Sequence, residues 1–411
     1  MNIENLRTTH PKLLSQMKEV GYSDKYIQSF RKEINWILAE SEYRDWKDYK
    51  DIYRHYESTL HTRRALMVKH TILGALEQFE LNGKYPDSKW NNLKGREMKH
   101  QKLAPEFKGL IDYYINAALE GGKKESTIIT ESGYASSFLL AMQESGFSRL
   151  NGITEEAVMT FFISPDGERL KCHSNRKSIT AFLKTCIPIN ADACQRVASF
   201  LPKTRSTRKN IQYLTAEEIA RVRETLNDMT NTLSLCDRAI GKLALYTGLR
   251  GGDIADMKLA SIDWERDTIS IRQQKTGNPL ALPLTAVVGN AIYDYVNNER
   301  PSVDNPNLFL TTNGSHREIT HKNVTHVSTR IMTAAGIRKA KGDRKGLHIF
   351  RHHVATTLLS NDVSQAVISC TLGHSSPDSI ETYLAADFEH LKSCALSISR
   401  FPVPEEVFSI E

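Results

Sequence analysis

No run of about 18 apolar residues occurs in this chain, so no membrane-spanning helix is expected. The start, MNIENLRTTHPKLL, is polar and has no apolar core, which excludes a signal peptide from the reading. The six cysteines, Cys172, Cys186, Cys194, Cys236, Cys370 and Cys394, are scattered and form no C-x-x-C pair. That spacing argues against a zinc ribbon or a disulfide framework and fits a reducing cytoplasm. There is no P-loop G-x-x-x-x-G-K-[ST], no dinucleotide fingerprint and no H-E-x-x-H. No nucleotide cofactor and no metal are therefore expected. Internal repeats and low-complexity tracts are also missing.

What is present suits a soluble globular protein: 40% hydrophobic and 25% charged residues. At 411 residues the chain is too long for one compact domain and should hold two or three. The formal net charge is +6. Such an excess serves solubility or a polyanionic partner, and charge alone does not decide between them.

The apolar spacing predicts helices almost everywhere. Residues 12–82 read as several helices, with Ile27, Phe30, Ile34, Ile37 and Leu38 on one face. Residues 83–103 are polar and basic with turn residues, and mark a boundary between an N-terminal helical domain (1–95) and a second helical unit (104–202). In that second unit helices are expected at 106–120, 126–146, 154–164, 175–186 and 190–200, with Ser126 or Thr127 as an N-cap. A basic stretch over 203–212 follows. It reads as an interdomain tether whose Lys203, Arg205, Arg208 and Lys209 also suit contact with DNA phosphates. Thr215 and Glu218 form a capping-box signature that opens a third domain, 213–400, ahead of a C-terminal tail, 401–411. Within that domain Thr268–Ile271 alternates, Lys275–Pro279 turns and Leu280–Leu284 returns, which predicts a β-hairpin. The fold class expected is mainly α with a small β-sheet in the C-terminal domain (α+β).

The third domain also carries the chemistry. Thr247-Gly248-Leu249-Arg250 ends one helix, and Asp253 follows where it can orient Arg250 by a charged hydrogen bond. Lys275 sits at the hairpin tip, and lysine suits proton donation because its pKa falls readily beside other cations. His348 and Arg351 are spaced i, i+3, so a helix starting near His348 places both on its first turn, where free N–H groups favour an anion. His352 and His353 follow directly and keep a metal cluster open as an alternative. Gly373 stops a helix before His374, and Ser376-Pro377-Asp378 caps the helix that bears Tyr383. Arginine forks can neutralise a phosphodiester without a metal, histidines and a lysine can move protons, and a tyrosine can attack phosphorus.

In this order and over residues 247–383, TGLR with a following acid, the KTG hairpin, H-x-x-R, LGH and a tyrosine resemble the tyrosine recombinase (phage-type integrase) family. The resemblance implies active-site positions at Arg250, Lys275, His348, Arg351, His374 and Tyr383, supported by Asp253. It implies a core-binding helical domain before the catalytic one, and a clamp around double-stranded DNA carrying a specific site. It also implies strand exchange through a 3′-phosphotyrosine and a Holliday junction, in a homotetramer on synapsed DNA assembled from monomers. An accessory directionality factor and a role in integration or excision of a mobile element belong to the same expectation. A type IB topoisomerase-like enzyme shares the chemistry. A DNA-binding protein without catalysis and a metal-dependent hydrolase built on the His cluster are the other readings, and the complete residue set speaks against the former.

Overall fold

The computed structural model describes residues 1–86, 99–203, 211–374, 376, 379 and 381–384. By their internal contacts these divide into two compact units, Met1–Thr8 with Glu33–Arg208, and Thr9–Lys32 with Lys209–Glu411. The first helices are α1 (Ile3–Glu19), α2 (Asp24–Glu40), α3 (Tyr49–Thr59) and α4 (Arg63–Asn82). Next come α5 (Pro105–Glu120), α6 (Glu125–Glu144), α7 (Glu155–Phe162), α8 (His173–Thr185) and α9 (Ala191–Ser199).

In the first unit α5, α6 and α8 pack around Phe107, Tyr114, Phe138, Phe162 and Phe182, all buried. Tyr114 and Phe182 meet edge-on with ring centroids 5.8 Å apart, a geometry that adds to their area burial. The helix expected at 126–146 begins one residue earlier. Its N-cap is Lys124, which makes no side-chain cap bond, and neither Ser126 nor Thr127 caps it. Both hydroxyl residues lie inside the first turn. There the Ser126 carbonyl accepts from Thr130 Oγ1, 2.9 Å away, as an ordinary helical position does.

The second unit continues with α10 (Ala216–Asn227), α11 (Leu235–Thr247), α12 (Gly251–Ala255) and α13 (Ala286–Asn298). It closes with α14 (His321–Ala334), α15 (His348–Ser360), α16 (Gln365–Leu372) and α17 (Glu381–Leu384). Three antiparallel strands, β1 (Ile262–Asp263), β2 (Thr268–Arg272) and β3 (Pro279–Pro283), lie in that order in one sheet. The register pairs Ile269 with Leu282 and Ile271 with Leu280. Ile269, Leu280 and Leu282 are buried, so the alternation read from the sequence points one sheet face into the core. Helix α11 is central: Ile240, Leu243 and Ala244 are fully or almost fully buried, and it packs against α13, α14 and α15. The α11–α14 contact is tied electrostatically as well, because Arg330 donates two hydrogen bonds to the buried Asp237.

The fold is thus mainly helical with a small sheet in the C-terminal part, as the patterning predicts. Pro377 and Asp378, the linker residues Arg205, Arg208 and Lys209, and the tail 401–411 lie outside the described residues. Thr215 does cap α10: its Oγ1 accepts from Glu218 N at 3.3 Å and the Glu218 carboxylate returns to Thr215 N at 3.0 Å. Replacing Thr215 by Ala removes one arm of this box and should cost about 1 kcal/mol of stability. Chemical denaturation of the two proteins measures it, and an unchanged midpoint would show that α10 does not depend on its cap.

Candidate active site

Two helices of the second unit end in the left-handed conformation that favours glycine. Gly248 (φ 64°) caps α11 and Gly373 (φ 62°) caps α16. Each turn leaves carbonyls without helical partners. Arg351, on the first turn of α15 and only 4% exposed, takes up both ends: Nη1 donates to Gly248 O at 3.0 Å and Nη2 to Leu372 O at 2.7 Å. Arg250 emerges just after the first of these turns, and its Nη2 approaches Gly373 O at 3.4 Å. The two guanidinium groups are close enough that burial, followed by the charge of Arg250, lowers the Arg351 pKa to about 10, against the opposing pull of Tyr383.

Around this pair stand the other predicted residues. His348 opens α15, and its pKa is lowered by desolvation first and then by Arg351, His321, Arg250 and Lys275. The charge of the hairpin lysine is therefore felt at His348. His374 follows the α16 cap, and burial together with Arg351 and Arg250 moves its pKa down to about 4. Its ring stacks on Tyr383 with centroids 6.1 Å apart and planes 8° from parallel. Tyr383 lies on α17, 5% exposed, in a small apolar cluster with Ala355, Leu359, Ile368 and Leu372. The structure thus brings together Arg250, His348, Arg351, His374 and Tyr383, with Lys275 at the border on the turn between β2 and β3.

Asp253, on α12, is buried within 3.8 Å of Arg250 Nη1, longer than the direct hydrogen bond expected from the sequence. Its other oxygen accepts the backbone N–H of Gln274 at 2.9 Å. Arg250 Nη1 and Asp253 Oδ2 are both buried with no hydrogen-bond partner among the described residues, as is Nδ1 of His374. A buried guanidinium arm with no acceptor, beside a second arginine and two neutral imidazoles, is the pattern a tetrahedral anion would complete. No group of His, Cys, Asp and Glu fit to hold a metal occurs among the described residues.

Sequence reasoning missed two residues at this site. Gln273 is 1% exposed, and its Nε2 donates to Leu372 O at 3.2 Å, the same oxygen that Arg351 uses. Only the step from the alternating strand to the KTG turn could have drawn attention to it, and a glutamine there reads as surface. His352 lies one position after Arg351, its ring 5.5 Å from Tyr383 and 6.1 Å from His348. Burial and the neighbouring His348, Arg344 and Arg351 lower its pKa to about 4. In the sequence it stood out only as a metal candidate, whereas in the structure it is a neutral ring packed beside the tyrosine.

Known proteins resemble this chain over its C-terminal part. Residues 212–390 match the model described as Phage integrase family. A Sinorhizobium fredii protein named as an integrase/recombinase is 37% identical over 185 residues, which are 45% of this chain and 94% of that protein. The tyrosine recombinase XerH of Campylobacter jejuni is 25% identical over 186 residues, 45% of this chain, and the matched stretch spans only 51% of XerH. Among solved structures, XerH bound to a palindromic difH substrate superposes with a TM-score of 0.53 at 18% identity, covering 71% of this chain and 97% of that one. A lambda integrase dimer bound to a core site gives 0.52 at 19% identity, covering 79% and 87%. At those identities the structures speak for the fold, while the Sinorhizobium relative, matched over nearly its whole length, speaks for the family. The chain belongs to the phage integrase family of tyrosine recombinases.

Proposed function

We propose that this protein is a site-specific DNA recombinase that cuts and rejoins duplex DNA through a covalent 3′-phosphotyrosine. The observation that carries the reading is the convergence of Arg250 with Arg351, which lies beside Tyr383, with a guanidinium arm of Arg250 left without an acceptor. A scissile phosphate in that position receives both guanidinium groups on its non-bridging oxygens, where charge grows as phosphorus is attacked. The Tyr383 oxygen forms the new P–O bond and the bond to the 5′ oxygen breaks. One of His348 and His374, both held toward the neutral form, accepts the single tyrosine proton, and Lys275 protonates the leaving oxygen. The phosphotyrosine conserves the bond energy for rejoining, so the scheme calls for no nucleotide cofactor. Exchange in a homotetramer through a Holliday junction, service to a mobile element and a cytoplasmic location extend the same reading.

Replacing Tyr383 by Phe should abolish the covalent complex on a nicked duplex, assayed in EDTA, while binding to DNA persists. Arg250→Ala should slow cleavage by about 100-fold or more, the scale of removing one preorganised donor at a developing anion. A denaturing gel reads both; covalent product from the Phe variant would dismiss Tyr383 as nucleophile.

The imidazoles give a pH prediction. His352 and His374 sit near 4 in the folded protein, below the 6.5 of a free side chain. Between those values the unfolded chain binds more protons than the folded one, so stability is complete above 6.5 and declines as the pH falls toward 4. A bound phosphate adds an anion beside His374 and should raise its pKa. Histidine-resolved NMR titration with and without a DNA half-site measures this, and an upward move confined to the DNA-bound form is expected.

The linker supplies a further arm. Neutralising Lys203, Arg205, Arg208 and Lys209 together should flatten the dependence of DNA affinity on salt, because a protein that neutralises fewer phosphates displaces fewer counterions. An unchanged slope in binding titrations from low to moderate salt would make this segment a passive tether.

A further inference from the structure

The hairpin that carries Lys275 is fastened to the arginine pair at two points, through consecutive glutamines. At the first, Gln273 inserts its amide under the α16 cap. Its Nε2 donates to Leu372 O (3.2 Å), which Arg351 Nη2 also holds, and its Oε1 accepts from Thr276 Oγ1 (2.8 Å). The backbone closes the same turn, since Gln273 N donates to Asn278 O at 2.9 Å and Gly277 N to Gln273 O at 2.8 Å. At the second, Gln274 N–H donates to Asp253 Oδ1, and the other oxygen of that carboxylate faces Arg250. One anchor therefore runs from the hairpin to Arg351 and the other to Arg250.

The fit at the first anchor is close. A Cβ on Gly373 would stand 2.2 Å from Gln273 Nε2, so a side chain there would displace the Gln273 amide, and the positive φ (62°) favours glycine in its own right. Gln273 is one of few polar side chains buried in this unit, and the strand alternation alone would have placed an apolar residue there more cheaply. A polar group retained in such a place, with both ends of its amide engaged, fixes the relative position of the elements it joins.

We propose that Gln273 is a positioning residue for the reaction: bridging Leu372 O and Thr276, it sets the Lys275-bearing turn at a fixed place relative to Arg351. The inference rests on the assignment of Lys275 as the proton donor to the leaving 5′ oxygen. Gln273 itself touches no substrate and acts through the lysine.

The test compares two nicked duplexes, one with an ordinary scissile phosphodiester and one in which sulfur replaces the bridging 5′ oxygen. Attack on the second breaks a P–S bond and releases a thiolate, which needs no proton. Gln273→Leu keeps Arg351 on Leu372 O and should cleave the oxygen substrate about 100-fold more slowly, the scale of a misplaced reacting group. On the sulfur substrate it should recover to about the wild-type rate, because the proton donor is no longer required. Thr276→Val, which removes the outer half of the bridge together with the longer bond that Thr276 Oγ1 accepts from Asn278 N (3.4 Å), should show the same pattern at about three- to tenfold, the worth of about one hydrogen bond. Lys275→Ala is the reference and should be rescued by sulfur as well. If Lys275→Ala is rescued and Gln273→Leu is equally slow on both substrates, Gln273 serves the arginines or the fold and the proposal is wrong. Wild-type rates for Gln273→Leu on the oxygen substrate also overturn it. If sulfur fails to rescue Lys275→Ala, the proton-donor assignment itself falls, and the positioning role with it.

Discussion

A single buried guanidinium closes two helices. Arg351 gives one nitrogen to the carbonyl that ends α11 and another to the carbonyl that ends α16, positions 103 and 21 residues away in the chain. Helix C-termini carry unpaired carbonyls and a partial negative charge, so a cation there satisfies both needs at once. Every other member of the site is placed relative to these two turns. Arg250 leaves the first, His374 leaves the second, and Gln273 brings the hairpin to the second. Tyr383 packs on the apolar side of α15 and α16, beside the rings of His352 and His374.

The same arrangement concentrates positive charge. Arg250 and Arg351 lie close together, Lys275 adds its charge at His348, and Asp253, the carboxylate beside Arg250, is partly committed to Gln274 N–H. Like charges in a desolvated place raise the free energy of the empty site. The imidazoles respond by staying neutral, which limits the repulsion and leaves them able to accept a proton. Under the proposed function a phosphodiester would relieve the remaining excess, turning the electrostatic stress of the free protein into affinity for that group. In the free protein both arginines are already held by carbonyl oxygens.

Much of this was legible in the sequence, and particular residues show why. Thr215 and Glu218 announce α10 because a capping box is local, needing four residues and no tertiary partner. The Thr268–Ile271 alternation and the glycine at 277 likewise place the hairpin. Gly248 and Gly373 end helices for a reason contained in their own backbone angles. Arg250, His348, Arg351, His374 and Tyr383 were found as a set of types in order, though nothing local in the chain brings them together. What remained illegible depends on pairs far apart. Gln273 gains its meaning from Leu372, 99 residues on. Ser126 and Thr127 looked like caps because hydroxyls favour that position, but α6 starts at Glu125, with Lys124 as an N-cap that makes no side-chain bond. His352 looked like a metal ligand beside His353, and only the fold turns it toward Tyr383.

The shared oxygen of Leu372 has a consequence for how this domain tolerates change. Arg351 and Gln273 both lean on it, so a shift of the α16 terminus moves an arginine and the lysine hairpin together. Gly373 adds to the constraint, because any side chain there must displace Gln273. A change at the end of α16 therefore reaches Arg351 and the Lys275 hairpin together, whereas a change in the Lys275–Asn278 turn itself leaves the Arg351 bond to Leu372 O in place. The stability of the turn and the geometry of the candidate site are thus carried by the same few hydrogen bonds. A protein built this way cannot relax its active site without loosening the packing of α15 on α16. The left-handed glycine, the buried glutamine and the buried arginine form one unit whose parts have no separate use.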